Sequence, residues 1–440
     1  MGNVAVSDAG LRVLFFRGLC DTGGVSSWML SLEQELRSRG AHCAFFFCEG
    51  SSRLAEFQRV APTTVAPIDV LLDLVETERY DVLHIASGDP EAEILTLVPM
   101  APRIVATNHG APSSVWNASN CHALTAVSRG MAAIDQVLTD LEVEPIYNGI
   151  DSDHFAPDPE CPDRSGPGPI VAWVGRTTSI DQKDFPRFLR VGAILAERGV
   201  RLWVADAHGA DRSFFEQRGY AVPHIERWHR VEYGEMPQFY RDVAGSGGLV
   251  LMTSPMEGFG LVAAEAAACG LTTVAPDVIG LQEVIVADIT GTLYPLHATD
   301  DEVADIVTGW IAQWNPDRSR NAAVSARERF SLRQMTDRYL EAYSRKQPRR
   351  AGKEVLLDPG SVGAAIRIHE QVRRRMLGMR VYALSNAALR LSATGRRWLA
   401  LRILAHLARI APRWILKRAP QARVLRTLFN VVNPLTSRPR

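Results

Sequence analysis

The 440-residue sequence is poor in cysteine, has no long apolar run and no net excess of either charge. Each shortage excludes something. The six cysteines, Cys20, Cys43, Cys48, Cys121, Cys161 and Cys269, are scattered without CxxC or any other metal-ligand spacing. They read as small core residues in a reducing compartment, not as a disulfide framework. No run of 18 uncharged apolar residues occurs, against a membrane-spanning helix. The first ten residues, MGNVAVSDAG, have neither a basic start nor an apolar core of the secretory kind, and Ser7 stands one place too far along for the lipidation pattern that Met1-Gly2 would open. The expectation is a cytoplasmic protein. No Gly-x-Gly-x-x-Gly follows the first predicted strand, which argues against a dinucleotide site there. No Asp-x-Asp cluster stands at a predicted strand end, since Asp151-Ser152-Asp153 falls in a linker.

What is present is 46% hydrophobic and 22% charged, enough to bury the cores of two domains or more. The zero net charge hides an asymmetry: 22 of the 49 Lys and Arg, but only three of the 49 Asp and Glu (Glu354, Asp358 and Glu370), lie from Arg345 onward. An acidic body carries a basic tail. Along the body, β-branched or aromatic runs at 11–18, 42–50, 81–88, 103–110, 123–128 and 144–149 alternate with helical patterns. A stretch rich in Pro, Gly and Asp, 151–169, reads as a hinge, and strands resume at 170–176, 200–206, 247–253, 271–276 and 291–295. This rhythm predicts an α/β protein of two doubly wound halves, with a ligand in the cleft beyond the carboxyl ends of their strands.

Four stretches could meet in that cleft. In SPMEGFGLVAAEAAACG (254–270), a loop leaving a buried strand carries Glu257 and then Gly258-Phe259-Gly260, and Leu261 opens a helix containing Glu265. The glycines permit a tight turn that aims N–H groups at a helix entrance, where partial positive charge favours phosphate or sugar oxygens. A carboxylate among alanines needs hydroxyl or cation partners if it is buried. The alternative places Glu257 in a solvated loop and Glu265 on the wet face of the helix. Arg176 and Lys183, in WVGRTTSIDQKDF (173–185), are two cations at a strand end, suited to a diphosphate or simply exposed. Gly23 and Gly24 open the first strand-to-helix loop, either for close backbone approach to a ligand or as a plain tight turn. His109, in IVATNHG (104–110), ends a strand facing the hinge and is either structural or functional.

At the two glutamates, with seven residues between them that include Gly-Phe-Gly, the sequence resembles the GT-B-fold retaining glycosyltransferases of glycosyltransferase family 4 (glycosyl transferases group 1), and LTTVAPDVIGLQEVI (271–285) extends the likeness. The resemblance covers roughly residues 11–346. It implies an N-terminal Rossmann-like acceptor domain (1–155), a C-terminal Rossmann-like nucleotide-sugar donor domain (156–330), a helix closing the transferase body (331–346) and, beyond it, a basic helical extension (347–440). It also implies that a sugar moves from a UDP- or GDP-linked donor to an acceptor hydroxyl with retention of anomeric configuration. By the same resemblance Glu257 holds donor hydroxyls, amides from Gly258 through Phe259 and Gly260 to Leu261 lie along sugar and diphosphate, and Glu265 takes the ribose hydroxyls. Arg176 and Lys183 stabilise the leaving diphosphate, Gly23 and Gly24 approach donor phosphate or acceptor, and His109 lies beside the reacting sugar. No metal or cofactor is called for, the nucleotide sugar being a substrate. Two positions depart from the family pattern: Asp184 follows the lysine where glycine is common, and Ile279 precedes Gly280 where a second glycine is frequent.

Two further readings stay open at this level. A non-hydrolysing sugar-nucleotide epimerase would share the architecture but needs additional acid and base groups in the cleft, and a non-catalytic membrane-docking protein could be built on a degenerate transferase body. In the tail, 396–419 puts Arg402, His406, Arg409, Arg413 and Lys417 on one side of a helical wheel, with Leu404, Leu407, Ala411 and Ile415 opposite and a bend at Pro412. One expectation is an anionic membrane bound through 360–430, with Trp398, Leu404, Leu407 and Trp414 dipping into the interface, so that the acceptor would be lipid-linked or another glycan. The other is a helical appendage packed on the acidic body, or a dimer contact. No nucleic-acid partner is expected.

Overall fold

The computed structural model describes residues 10–350 and 381–410, apart from residues 22, 52, 87–89, 98–99, 111–119, 137–138, 159–167, 207–211, 221, 223 and 383. Cys161, Pro412, Arg413, Trp414 and Lys417 lie outside the described residues. The other five cysteines form no disulfide among the described residues.

Two parallel sheets form the body. The first joins β1 (Arg12–Leu19), β2 (His42–Glu49), β3 (Thr63–Val65), β4 (Val82–Ile85), β5 (Arg103–Asn108), β6 (Ala123–Ala126) and β7 (Val143–Pro145) in the order β3-β2-β1-β4-β5-β6-β7. The second joins β8 (Ile170–Gly175), β9 (Arg201–Asp206), β10 (Ile225–His229), β11 (Leu249–Leu251), β12 (Thr273–Pro276) and β13 (Gly291–Tyr294) in the order β10-β9-β8-β11-β12-β13. This is the predicted doubly wound α/β pair. A strand covered on both faces needs apolar residues on both, which is why β1 reads as a continuous run: Leu14 and Phe16 enter one core layer and Val13 and Phe15 the other. The sequence reading missed β3 and β10. Both are edge strands, and β10 buries only one of its five residues fully, so neither carries an unbroken apolar run.

After β7 the chain crosses between the sheets at Asn148 and Gly149. A Cβ at Gly149 would lie 2.5 Å from Leu332 Cα, so this crossing tolerates no side chain. The helix Leu332–Ser344 then returns to the first sheet, where Tyr339 and Tyr343 pack with Phe15 and Trp28.

The helix Arg397–Ile410 corrects one expectation. Leu404 and Leu407, assigned above to a membrane interface, are buried with Ala400 and Ile403 in the core of the first sheet. His406, expected on the wet side, is buried too, 2.6 Å from Glu93 Oε1. Arg396 pairs with Glu76 at 2.8 Å and also with Asp73. Residues 381–410 of the basic tail are therefore drawn onto the acidic body, and their apolar face joins a core layer of the first sheet. Among the described residues no helix is long and apolar enough to cross a membrane.

Candidate functional site

Between the carboxyl ends of the two sheets lies a cavity of about 520 Å³. His109, Arg176, Lys183, Glu257, Glu265 and both glycine turns line it, so every candidate from the sequence reaches one place.

The donor-side turn is built first. β11 ends at Leu251, the chain turns through Glu257-Gly258-Phe259, and Gly260 starts the helix Leu261–Ala268 at a φ of +103°, which favours glycine. A Cβ on Gly258 would lie 2.4 Å from the His109 carbonyl oxygen, so only glycine lets this turn pass beneath the first domain. The ring of Phe259 is buried against Phe330 at 5.2 Å and Tyr147 at 5.9 Å, which anchors the turn. Small residues let the helix pack closely on the helix Pro316–Arg329, with Ala263, Ala266 and Ala267 in one core layer with Ala322 and Ala326.

Glu265 is buried on that helix and faces the cavity. Burial pushes its carboxyl up to about 8, opposed by the Tyr240 hydroxyl, which donates at 3.2 Å, and by the charge of Arg53. Glu257 is paired with Lys183 across the cavity. Arg176 donates to Gln182 Oε1 at 3.1 Å and lies 3.7 Å from Asp21, which itself holds Arg17 at 2.8 Å. Arg17, Gly23 and Arg176 together hold the Asp21 carboxyl below its ordinary range, although burial alone would raise it. Cations and carboxylates thus alternate along the wall, so a multiply charged ligand finds partners of both signs.

The departure at Asp184 has a local explanation. Its φ of +43° is left-handed, where the family's common glycine is at ease, yet Asp184 also caps the helix Phe185–Glu197 by accepting the Arg187 N–H at 3.2 Å. Lys183 keeps its place because the Thr253 hydroxyl donates to its carbonyl at 2.8 Å. Ile279 lies outside the cavity, and its Cγ2 would be 2.3 Å from a Cβ at Gly130 of the first domain.

On the first-domain side, Gly23 donates to Asp21 Oδ1 at 2.9 Å and starts the helix Gly24–Ser38, and a Cβ on Gly24 would lie 3.0 Å from Leu261 Cδ1. His109 is packed against Trp28 with ring centroids 4.4 Å apart, and its Nε2 is buried with no partner among the described residues. Burial, then the charges of Arg17 and His84, push His109 well below the ordinary histidine range, so it is a neutral imidazole at pH 7. Behind it the buried carboxyl of Asp135, pushed up to about 7, accepts from the Asn108 amide at 2.7 Å, and Asn108 accepts from Gly110 N at 2.9 Å. Sequence reasoning missed Asp135, Arg17, Asp21, Arg53 and Tyr233. Asp21 stands two residues before the Gly23-Gly24 turn, which was the signal for it, whereas Arg17, Arg53 and Asp135 sit in no recognisable motif and Tyr233 follows the missed strand β10.

Known proteins agree with this geometry. Residues 168–312 match the family described as Glycosyl transferases group 1. Two D-inositol 3-phosphate glycosyltransferases are similar: that of Kribbella flavida is 30% identical over 36% of this chain and 41% of its own length, and that of Gordonia bronchialis is 40% identical over 25% and 24%. The alpha-maltose-1-phosphate synthase of Mycolicibacterium smegmatis is 30% identical over 50% of this chain and 62% of its own. The chain thus spans between a quarter and three fifths of these relatives. Among solved structures, Anabaena Alr3699/HepE in complex with UDP-glucose has a TM-score of 0.63 at 18% identity, covering 76% of this chain and 99% of that one. Sucrose-phosphate synthase from Thermosynechococcus elongatus has a TM-score of 0.61 at 16%, covering 76% and 98%. Both share the GT-B arrangement of two facing sheets, and the match to glycosyl transferases group 1 falls on the second of those sheets, residues 168–312.

Proposed function

We propose that the chain is a glycosyltransferase that moves a sugar from a nucleotide-sugar donor to an acceptor hydroxyl with retention of configuration. The observation that carries this reading is the convergence of Glu257, Glu265, Arg176, Lys183 and His109 on one cavity between two sheets. In the proposed reaction the bond from the anomeric carbon to the β-phosphate oxygen breaks and a bond to the acceptor oxygen forms on the same face. The acceptor proton passes to the departing phosphate. Lys183 turns from Glu257 to the diphosphate and Arg176 turns from Asp21, so that two cations take the developing charge where a metal would otherwise serve. Glu257, released, accepts from donor hydroxyls. Glu265 binds the ribose diol, and neutral His109 offers its unpartnered Nε2 to the sugar.

The UDP-glucose in the Anabaena structure favours a UDP-hexose donor, with GDP-linked sugars as the other candidates. The experiment is a screen of both classes by thermal shift, followed by release of nucleoside diphosphate. Lys183→Ala should lower turnover by about a hundredfold, the usual scale for removing one charge-stabilising donor. If no nucleotide sugar shifts the melting point or is consumed, the reading is wrong.

The second domain and the cleft leave the acceptor open, but the tail suggests where it lies. With Leu404 and Leu407 in the core, the outward stripe of the last described helix is Arg397, Trp398, Leu401, Arg402 and Arg409, with Trp398 81% exposed. No Asp or Glu occurs after Glu370, so this stripe complements an anionic bilayer and suits a lipid-linked acceptor. Flotation with vesicles containing phosphatidylserine should lose its dependence on the tail when Trp398, Arg397 and Arg402 are all replaced by Ala. Equal recovery of both proteins in the floating fraction would remove the membrane from the proposal.

A further inference from the structure

We infer that Glu283 is a positioning residue that clasps the second domain onto the first and so sets the donor turn opposite His109. The inference rests on the transferase reading for its kinetic test but on geometry for its statement. Glu283 belongs to the short helix Leu281–Val284, outside the cavity lining, yet its carboxylate crosses to the first domain. Its Oε2 accepts from Arg129 N at 2.9 Å and its Oε1 from Gly130 N at 2.8 Å, the first two amides of the helix Arg129–Gln136. The Tyr147 hydroxyl, in the segment crossing between the sheets, donates to Oε2 at 2.8 Å. Burial and the neighbouring carboxylate push this phenol up to about 12, so it remains a donor throughout the working range of pH. Arg329 holds the other side by donating to the main-chain carbonyls of Glu283 and Val284.

Three residues upstream the same segment touches the site. Gly280, at a φ of +86°, packs so closely under the donor turn that a Cβ there would lie 2.6 Å from the Glu257 carbonyl oxygen. Ile279, just before Gly280, fits only because Gly130 has no side chain. One five-residue stretch therefore grips the first domain at Gly130 and supports Glu257 at Gly280. In the first domain, Gly110 and the His109 carbonyl rest on Gly258. Releasing Glu283 frees the donor turn to move away from His109 without removing any group that holds the nucleotide.

The test uses the full chain. Glu283→Ala should lower kcat by about tenfold to a hundredfold, the scale expected when reacting groups are displaced by about an ångström, while the Kd for UDP stays within about threefold. Small-angle scattering should show a larger radius of gyration than in the unmodified protein. Gly130→Ala is the companion variant, because alanine favours the helix it sits in and so leaves folding intact. It should reproduce the kcat loss through the clash with Ile279, and Gly130→Ala with Ile279→Ala should recover it. The inference is overturned if Glu283→Ala keeps kcat and radius of gyration unchanged, or if Ile279→Ala fails to rescue Gly130→Ala. Scattering needs no turnover, so an unmodified chain that consumes no nucleotide sugar would refute the transferase reading alone.

Discussion

Glu265 shows how one residue can answer to both stability and binding. Burial raises its carboxyl from the ordinary glutamate range to about 8, so the folded state holds the proton longer than the unfolded chain does. Below the unfolded value the group costs nothing. As pH rises from about 4.5 towards 8, ionisation increasingly favours the unfolded chain, and the penalty is complete above the folded value. Glu265→Gln removes that penalty, so its melting temperature should gain on the unmodified protein as pH rises from 5 to 9, with the two closest at pH 5. A constant difference across that range would mean that Glu265 is already paired as an anion in the folded chain. Asp184 permits a second test. Asp184→Gly should leave stability within about 0.5 kcal/mol, because relief of the left-handed φ offsets the lost cap. Asp184→Ala keeps the strain and loses the cap, and should cost about 1–2 kcal/mol by urea unfolding.

Elements were read from the sequence to the extent that their patterns were local. Strands buried on both faces announced themselves, as β1 and β2 do with Val13, Phe15, Phe45 and Phe47. The glycine turns were legible because a turn beneath a helix needs φ values that other residues resist. Edge strands β3 and β10 were not, since each is largely wet and carries no unbroken apolar run. The same limit hid Asp135 and Glu283, whose partners lie 27 and 153 residues away. It also left the tail helix with two readings: a wheel identifies an apolar side without saying whether lipid or protein covers it, and here Leu404 and Leu407 meet the first domain's core, as the packed-appendage reading expects. His406 marks that contact, because it donates to or accepts from the fully buried Glu93 at 2.6 Å. His406→Ala should cost about 1.5–3 kcal/mol, the range for a buried hydrogen bond to an ionisable partner, measured by urea unfolding. A loss under about 0.5 kcal/mol would show that the helix is docked too weakly to matter.

At the scale of the whole molecule, residues 381–410 of the tail are a structural part of the first domain. Val381, Leu384, Ala388 and Leu391 share its core layer with Ile403, Leu404 and Leu407, and all are fully or nearly fully buried. Uncovering such side chains forfeits about 1.5–3 kcal/mol each in transfer free energy, against a total stability of about 5–15 kcal/mol for a typical domain. A chain ending at residue 350 should therefore lose the first domain's cooperative unfolding and expose a surface that binds the dye ANS. The second domain has its own sheet and its own core layers, which no described residue of the tail enters. It should still unfold as a unit and still be stabilised by nucleoside diphosphate, by about 2.7 kcal/mol at a hundredfold excess over Kd. Calorimetry of the truncated chain with and without UDP separates the outcomes. One remaining nucleotide-sensitive transition supports this division of labour, whereas two intact transitions would mean that residues beyond 350 merely decorate a body complete without them.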